Sequence, residues 1–464
     1  MIASTMFNTL SAEHLTFFEN LLGADRLSTR QADLDLHARD QSFHTPRRPD
    51  VILLPETTVE VSAILRYANA NRLPVTAWGV GTSLEGNSIA VYGGIMLDFA
   101  RMARLLEVRP DDFQADVQPG ITRLELNKAL ARYGLFFTPE PGANATIGGM
   151  IATNAAGIKT IKYGATRENV LALEVVKADG EVLQVGTRAR KNSAGYSLLH
   201  LFIGSEGTLG IITRATLKLA PIPSEYSAVL AAFPSVENAI RAVVEIVGAG
   251  LEPTALEFVD KETVSALNRD KGTQFVVAPT VIMEFIGSGE GEQLQLALEL
   301  CRENGATHFE AAQGTEARNK LWEVRHHTYE SLVRVHPNKA QKIIDVAVPI
   351  SRYPEIVLYS DATLREYNLI GYKFGHAGDG NLHINVIHTP GDEAELARVE
   401  AANDQIVRRA IMLGGTATGE HGIGIGKRKF MAAQYGAAYD LMRQIKNLFD
   451  PNGILNPGKI FTDQ

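Results

Sequence analysis

Cysteine is almost absent from this chain of 464 residues, in which Cys301 is the only one. A single thiol excludes an internal disulfide, a zinc site made of several thiolates and a cysteine-ligated iron–sulfur cluster within this chain. An excess of basic residues is missing too, because the formal net charge is −8 at pH 7. Proteins that bind nucleic acid through its phosphates normally have the opposite balance, so we expect no nucleic-acid partner.

Long apolar runs are also missing. No window holds about 18 uninterrupted apolar residues, so the sequence predicts no membrane-spanning helix. No Lys or Arg precedes Arg26, whereas Glu13 and Glu19 do, which is unlike a secretory signal or a transit peptide. The segment instead predicts a helix that is capped by Ser11 and ends at Gly23. We therefore expect a cytoplasmic location, or a peripheral one on the inner side of a membrane.

Between about residues 50 and 220 the sequence alternates short apolar segments with glycine-rich loops. Three segments predict strands, at 51–54, 74–78 and 94–98. The loop GVGTSLEG at 79–86 leads into the third strand without a long amphipathic helix. A Rossmann fold needs strand, glycine turn and helix in that order, and a Walker A loop needs Lys-Ser/Thr after its last glycine. Both are excluded, although such a loop suits backbone contact with phosphate groups.

Two further clusters of small residues follow, PEPGANATIGGMIATNAAG at 139–157 and GSEGTLG at 204–210. Glycine weakens helices and strands alike, so we expect the longer cluster to form neither a regular helix nor a flat strand. One such cluster alone is most simply a set of tight turns. Three of them in one region favour a large, extended cofactor that lies against the backbone.

The composition changes after the segment PIPS at 221–224. Residues 225–415 alternate predicted strands with predicted helices, which is typical of an antiparallel sheet backed by helices. A further helix is predicted over about 436–448. The sequence thus indicates an α+β protein with a change of architecture near residue 222.

The strongest chemical signal is the segment GHAGDGNLHIN at 375–385. Asp-Gly at 379–380 favours a two-residue hairpin turn, which would place His376 directly opposite His383, with Asn385 on the same face. Two imidazoles in that arrangement can bind one divalent ion. The pattern therefore predicts a metal site at this hairpin.

A second polar segment, TGEHGIGIG at 418–426, offers Glu420 as a third ligand. Two nitrogens and one carboxylate suit Zn, Mn or Fe and leave coordination positions open for a substrate. His421 points differently from its neighbour Glu420, so it can serve as a base beside the metal. A metal-dependent hydrolase uses the same set of groups, and at this point that alternative stays open.

Together these motifs resemble a known family. The glycine loops with GSEGTLGIIT, then GHAGDGNLH, TGEHGIG and NPGKIF, are similar to those of the FAD-linked 2-hydroxyacid dehydrogenases of the vanillyl-alcohol oxidase superfamily. The resemblance extends from about Arg48 to Phe461 and is nearest to the cytochrome-type D-lactate and the glycolate branches. It implies a two-domain α+β fold: a PCMH-type FAD-binding domain at 1–222, a cap domain with an antiparallel sheet and helices at 223–415, and a segment at 416–464 that returns to the first domain.

The family's motifs assign the flavin contacts to the three glycine clusters and the tail. The matching positions are Gly79, Val80, Gly81, Thr82, Ser83, Leu84, Gly86, Asn87, Pro141, Gly142, Ala143, Thr146, Gly148, Gly149, Asn154, Gly157, Gly204, Glu206, Gly207, Gly210, Ile212 and Asn456. Some relatives attach FAD covalently through a histidine in the first loop. Residues 79–87 contain no histidine, so the resemblance implies non-covalent FAD.

The resemblance also implies roles in the reaction, which is hydride transfer from the substrate Cα to the flavin. The metal ligands would be His376, His383 and Glu420, the base His421, the carboxylate-binding residue Arg325, and a further substrate contact Asn385. A guanidinium binds a carboxylate through two parallel hydrogen bonds. An imidazole, with a reference pKa of about 6.5, is suited to accept the hydroxyl proton near neutral pH.

One departure from the family narrows the substrate. The D-2-hydroxyglutarate branch carries a lysine where this chain has Ile343, and Lys342 would face the opposite side of a strand. We therefore favour D-lactate or a similar short 2-hydroxy acid, with glycolate and D-2-hydroxyglutarate as alternatives. A non-catalytic flavin subunit of an electron-transfer complex is an alternative of a different class.

The sequence leaves the electron acceptor open, and the candidates are a cytochrome, a quinone, an electron-transfer flavoprotein and an iron–sulfur subunit. It also leaves the oligomeric state open, with a homodimer as one possibility.

Overall fold

The computed structural model describes residues 7–287, 289–313, 318–319, 321–322, 325 and 327–462. The chain forms two compact units. The first comprises the residues up to Ala156, Ala165–Ile222 and the residues from Glu420 onward, and the second comprises Gly157–Gly164 and Pro223–Gly419.

The helices and strands of the described residues are numbered in chain order. The helices are α1 (Ala12–Leu22), α2 (Gln31–Leu36), α3 (Thr58–Ala70), α4 (Arg123–Leu130), α5 (Ile147–Thr153), α6 (Thr160–Tyr163), α7 (Leu199–Phe202), α8 (Val236–Gly248), α9 (Lys261–Lys271), α10 (Glu290–Glu303), α11 (Thr328–Val335), α12 (Tyr353–Glu366), α13 (Glu393–Met412), α14 (Met431–Tyr435) and α15 (Ala437–Phe449). The strands are β1 (Leu27–Ser28), β2 (Val51–Leu53), β3 (Val75–Trp78), β4 (Ile95–Asp98), β5 (Leu105–Arg109), β6 (Gln114–Val117), β7 (Leu135–Phe136), β8 (Val170–Val176), β9 (Val182–Gly186), β10 (Ile211–Lys218), β11 (Ala220–Pro221), β12 (Tyr226–Ala232), β13 (Ala255–Val259), β14 (Thr280–Ile286), β15 (His308–Gln313), β16 (Ala340–Ala347), β17 (Ile370–Gly375) and β18 (Asn381–His388). Within the described part of the chain, no helix combines the length and the apolar character that crossing a membrane requires.

The first unit contains two main sheets. One has the strand order β1-β2-β4-β3, in which β4 pairs in parallel with both β2 and β3. The other has the order β5-β6-β10-β8-β9, and its pairs are antiparallel. The three predicted strands at 51–54, 74–78 and 94–98 are confirmed as β2, β3 and β4.

Helix α1 begins and ends where the sequence predicts, and the next long helix, α3, is capped in the same way. Ser11 caps α1 by accepting a hydrogen bond from the backbone N–H of His14. Thr57 caps α3, and Glu60 completes a capping box by bonding back to the N–H of Thr57. Apolar side chains of both helices are buried in the core of the four-stranded sheet, and this burial of one helical face stabilises them beyond their caps.

Helix α5 corrects one expectation, because the cluster at 139–157 does contain a regular helix. Thr146 caps it, and three apolar side chains at helical spacing are buried on one face. Gly148 is needed for close packing, since a Cβ there would come within 2.6 Å of the Cβ of Pro119. Capping and burial thus outweigh the low helix propensity of the two glycines.

The second unit is built on a seven-stranded sheet with the order β15-β12-β14-β13-β17-β18-β16. Each neighbouring pair is antiparallel, as the sequence predicts. Side chains of α9 and α11 pack with Val259, Tyr372 and Phe374, so these two helices cover one face.

The boundaries of the units differ slightly from the expected domains. The backbone N–H of Thr416 donates to the carbonyl of Ala347 at 2.8 Å, which adds the residues up to Gly419 to the second unit. Ile158 packs against the apolar core of the seven-stranded sheet, so Gly157–Gly164 also belong to that unit.

Candidate active site

One face of the seven-stranded sheet carries polar side chains from several neighbouring strands. Asp345 on β16 lies directly opposite His383 on β18. Phe374 on β17 is also opposite His383, and Val259 on β13 is opposite Phe374. Opposed residues, and residues two apart on one strand, point to the same side. Glu257, two residues before Val259, therefore shares this face with Asp345 and His383.

The turn between β17 and β18 differs from the predicted hairpin. His383 pairs with Phe374 and not with His376, and a 3-10 turn occupies Ala377–Asp379. The two-residue turn that Asp-Gly favours needs a positive φ at both central residues. Gly380 has one (φ 74°), but Asp379 does not. The predicted register was therefore wrong.

The two imidazoles are nevertheless brought together. The ring centroids of His376 and His383 are 5.3 Å apart, with an interplanar angle of 88°. His376 Nδ1 lies 2.6 Å from Glu257 Oε1, and His383 Nδ1 lies 3.5 Å from Asp345 Oδ1. The carboxylate hydrogen-bonded to Nδ1 of His376 directs Nε2 of that ring away from it, which is the arrangement that metal-binding histidines normally have. Imidazole nitrogens of His376 and His383 are thus suitable ligands for one divalent ion.

Arg325 meets the same buried carboxylate as His376. Its Nε and Nη2 lie 2.9 and 2.6 Å from Glu257 Oε2, and its Cζ lies 4.8 Å from the ring centroid of Phe374. Burial raises the pKa of Glu257, but the charges and hydrogen bonds of His376 and Arg325 outweigh it and lower that pKa to about 2. Glu257 is therefore an ionised carboxylate inside the protein, and its charge balances that of the guanidinium.

Asp345 holds the chain immediately before Glu420. Its Oδ2 accepts hydrogen bonds from Thr418 Oγ1 and from the backbone N–H of Gly419, both at 2.8 Å. A Cβ at Gly419 would collide with Asn381 and come within 2.9 Å of Asp345 Oδ1, so only glycine permits this approach. Consecutive Cα atoms are about 3.8 Å apart. Gly419 is fixed to the sheet face, so the Cα of the next residue, Glu420, lies within this distance of a fixed Cα.

In the first unit, Glu206 fixes the segment that carries His421. Its carboxylate accepts the backbone N–H groups of Ile423 and Gly424, at 2.6 and 2.8 Å, and the side-chain amide of Asn87 at 2.7 Å. Burial raises the pKa of Glu206, and these three donors act against that shift. The carboxylate is thus used to hold protein loops, a role that the sequence did not predict for it.

The three glycine clusters converge in the first unit. Gly79 of the first cluster touches the Thr146 side chain of the second. The third is joined to the second by the backbone N–H groups of Gly204 and Glu206, which donate to carbonyls of α5 at 2.9 and 2.8 Å. The three clusters are therefore connected through hydrogen bonds and close contacts.

The tail is tied to the same loops. Asn456 donates through Nδ2 to the carbonyls of Asn87 and Glu206, and its Oδ1 accepts a hydrogen bond from Lys459 at 3.2 Å. Lys459 also donates to the carbonyl of Ile89 at 2.6 Å. The amide of Asn456 thus supports the loops through two hydrogen bonds, and a third connects it to Lys459 in the tail.

Glycine backbone with space beside it is available for a cofactor. No described atom lies within 4 Å of the Cβ position of Gly142, and the nearest one to that of Gly207 is 3.9 Å away. Gly81 and Gly204 have positive φ values, which a residue with a side chain rarely adopts. These features fit a large ligand lying against the backbone. Of the predicted flavin residues, only Gly157 belongs to the second unit.

Glu257 is not among the site residues predicted from the sequence. A signal was present, since Glu257 is the only charged residue in the apolar strand ALEFV at 255–259. Asp345, in the strand that contains Ile343, was not predicted either. Charged residues buried in a sheet are rarely tolerated without a partner, and in both cases the partner is an imidazole or a guanidinium of the candidate site.

Two family models match the chain. The model described as "FAD linked oxidases, C-terminal domain" matches residues 222–460, and the one described as "FAD binding domain" matches residues 49–186.

Curated relatives match along most of the chain. A probable mitochondrial D-lactate dehydrogenase of Danio rerio is 40% identical, over 96% of this chain and 90% of that protein. A D-lactate dehydrogenase of Archaeoglobus fulgidus is 39% identical, over 88% and 91%. The glycolate oxidase subunit GlcD of Bacillus subtilis is 34% identical, over 95% and 94%.

Solved structures show the same fold. The structure of p-cresol methylhydroxylase with substrate bound has a TM-score of 0.79 at 16% identity, covering 97% of both chains. The 4-ethylphenol oxidase from Gulosibacter chungangensis has a TM-score of 0.75 at 19% identity, covering 98% of this chain and 99% of that chain. The predicted α+β fold of the PCMH type is thereby confirmed.

Proposed function

The chain belongs to the family of FAD-linked oxidases, and we propose that it oxidises a short D-2-hydroxy acid, with D-lactate as the best candidate. Two relatives named D-lactate dehydrogenases, at 40% and 39% identity, support this choice over glycolate. The observation that carries the proposal is the buried cluster of His376, Glu257 and Arg325, in which one carboxylate binds both an imidazole and a guanidinium.

We propose that His376, His383 and Glu420 bind a divalent metal, with Zn, Mn and Fe as candidates. Supporting this are the paired imidazoles, each with a carboxylate near Nδ1, and the fixed position of Gly419 just before Glu420. When bound, the flavin supplies the hydride acceptor, and a divalent ion supplies a positive charge that makes a nearby hydroxyl easier to deprotonate.

The chain's own residues provide binding and proton transfer. Arg325 binds the substrate carboxylate through the part of its guanidinium that does not face Glu257. A ring nitrogen of His421 accepts the hydroxyl proton as hydride leaves the substrate Cα. Glu206 keeps the His421 segment in place through the N–H groups of Ile423 and Gly424.

The proposed preference for a short substrate depends on β16. Lys342 binds Glu400 of α13 at 2.8 Å, on the opposite face of the sheet from Asp345. The position that faces Asn385 is occupied by Ile343, which is apolar. A second substrate carboxylate, as in D-2-hydroxyglutarate, would meet an apolar side chain at this position, and an unpaired buried carboxylate is costly.

The function is tested by mixing the purified holoenzyme anaerobically with D-lactate, L-lactate, glycolate, malate and D-2-hydroxyglutarate in turn. We expect D-lactate to bleach the flavin absorbance fastest, and metal content is measured on the same sample. Faster bleaching by glycolate would favour the function of the Bacillus subtilis relative. A flavin that none of these acids bleaches would contradict the proposal and favour a non-catalytic electron-transfer subunit.

The flavin attachment and the electron acceptor are proposed on the same basis. We propose that FAD is non-covalent, so acid precipitation should leave the flavin in the supernatant.

We propose that a cytochrome, a quinone, an electron-transfer flavoprotein or an iron–sulfur subunit reoxidises the reduced flavin. Reoxidation of the D-lactate-reduced enzyme by cytochrome c, a quinone analogue or a purified electron-transfer flavoprotein would distinguish three of these, and co-purification of an iron–sulfur subunit would reveal the fourth.

A further inference from the structure

We infer that Glu257 is a positioning residue that couples the proposed metal ligand His376 to the proposed carboxylate-binding Arg325. The two oxygens of its carboxylate serve different partners: Oε1 lies 2.6 Å from His376 Nδ1, and Oε2 lies 2.6 and 2.9 Å from Arg325 Nη2 and Nε. This inference rests on the proposed function and assigns to one side chain the geometry of both binding groups.

The location of Glu257 makes this coupling rigid. The residue is fully buried, and β13 is flanked by β14 and β17 within the sheet. A side chain held in the middle of a sheet cannot follow one partner without displacing the other, because packed interiors leave little free volume.

Both partners lose rotational freedom through this carboxylate. A carboxylate at Nδ1 selects the imidazole tautomer that presents Nε2 as an electron-pair donor, which a metal ligand must do. For Arg325, the contacts through Nε and Nη2 fix the plane of the guanidinium, and the Phe374 ring supports that plane from one side. Moving Glu257 would therefore disturb the metal ligand and the carboxylate site together.

Glu284 offers a matched control in the same sheet. It lies on β14 opposite Ala255, so it shares a face with Glu257, and it is equally buried with 1% of its surface exposed. Its Oε2 also binds an arginine, Arg318 Nε at 2.5 Å, but the other partner is Trp322 Nε1 at 2.8 Å instead of an imidazole. The Glu284→Gln substitution removes a buried carboxylate–arginine pair and leaves His376 and His383 unchanged.

The experiment compares Glu257→Gln with Glu284→Gln as FAD-loaded proteins. Three quantities are measured: the affinity for Zn²⁺ or Mn²⁺ in competition with a chromophoric chelator, the affinity for oxalate from the change in flavin absorbance, and the flavin content. We expect Glu257→Gln to lose at least tenfold in both affinities, in the range typical for residues that support metal-binding histidines. Glu284→Gln should stay within about twofold of the unmodified protein, and all three proteins should keep their flavin.

The outcomes separate this inference from the proposed function. Equal losses in the two variants, or loss of only one affinity in Glu257→Gln, would overturn the coupling while leaving D-lactate oxidation by the unmodified enzyme intact. An unmodified protein that binds metal and oxalate but oxidises no hydroxy acid would refute the proposed function alone. If Glu257→Gln does not fold, Glu257→Asp applies the same test, because the shorter side chain keeps the charge but cannot reach both partners.

Discussion

Asp345 and Gly419 are joined by a 2.8 Å hydrogen bond from the backbone N–H of Gly419 to Oδ2 of Asp345. This bond fixes the last residue before Glu420 to the sheet face that carries His383. The position tolerates no side chain, because a Cβ would collide with Asn381.

Gly419→Ala should therefore displace the segment leading to Glu420 and weaken metal binding by at least tenfold. The reason is that a metal site depends on ligand positions to within a few tenths of an ångström. Metal content after dialysis against a weak chelator measures the effect. Gly248→Ala is the control, since that glycine at the end of α8 has open space at its Cβ position and should be neutral or slightly stabilising.

His421→Ala should slow flavin reduction by D-lactate by about 10²-fold or more, because a general base typically contributes that much. FAD should stay bound, since Glu206 and Asn456 hold the loops. Anaerobic stopped-flow measurement at saturating substrate gives the rate. A variant that is reduced as fast as the unmodified enzyme would remove His421 from the role of base.

Removal of the metal should abolish substrate reduction of the flavin without releasing FAD. The proposed ligands His376 and His383 belong to the second unit, whereas the glycine clusters, apart from Gly157, belong to the first. The third proposed ligand, Glu420, is in the first unit but is not one of the predicted flavin contacts. The measurement is flavin bleaching before chelation, after chelation, and after adding back Zn²⁺, Mn²⁺ or Fe²⁺ separately. Full turnover in a preparation verified to be metal-free would contradict a catalytic ion.

Glu206→Gln should destabilise the first unit by about 1–3 kcal/mol, the usual effect of leaving a buried donor without its acceptor. Glu206 accepts two backbone N–H groups and an amide N–H, and the single oxygen of a glutamine cannot serve all three. Chemical denaturation followed by flavin fluorescence would show the loss. A slower reduction at saturating D-lactate should accompany it, because the His421 segment loses its support.

Because Lys459 is buried, we expect the free energy of unfolding to depend on pH in the alkaline range. Burial lowers its pKa to about 7, although Glu206 and Asp40 act in the opposite direction. In the unfolded chain a lysine has a pKa of about 10.4. Between these two values the unfolded chain binds more protons than the folded one, so stability rises with pH from about 7 to about 10.

The Lys459→Met variant isolates this contribution. Without the lysine, the increase of stability with pH should disappear. The free energy of unfolding of the native enzyme minus that of the variant should therefore increase from pH 7 to pH 9.5. Urea denaturation of both proteins at the two pH values tests the sign. If the difference between the two free energies of unfolding is constant or decreases over this range, the pKa of Lys459 is not lowered in the folded protein.

Local sequence signals were sufficient for elements whose ends are set by caps and whose faces have a clear period. Helix α1 begins at the predicted cap Ser11 because side chain and backbone within one turn determine that cap. Helix α5 was missed, since its stability depends on burial of apolar residues against other parts of the first unit. Glycine content alone carried no information about that packing.

From the sequence, candidate residues of the site could be proposed, but their geometry could not. His376 and His383 were recognised from their motif, yet their register depends on whether Asp379 adopts a positive φ, which the dipeptide only favours. Glu257 comes from a strand more than a hundred residues earlier in the chain, and no local pattern connects it to His376 or Arg325. Contacts of this range are set by strand order in the sheet.

The pairing of residues 454–456 with β3 has a consequence for synthesis. Val75 of β3 donates to the carbonyl of Ile454, and its own carbonyl accepts the N–H of Asn456, so a segment translated long after β3 completes the edge of its sheet. Until that segment has left the ribosome, the edge of β3 is open and exposed to aggregation or chaperone capture. A truncation before residue 454 would therefore damage a sheet whose strands lie more than three hundred residues earlier.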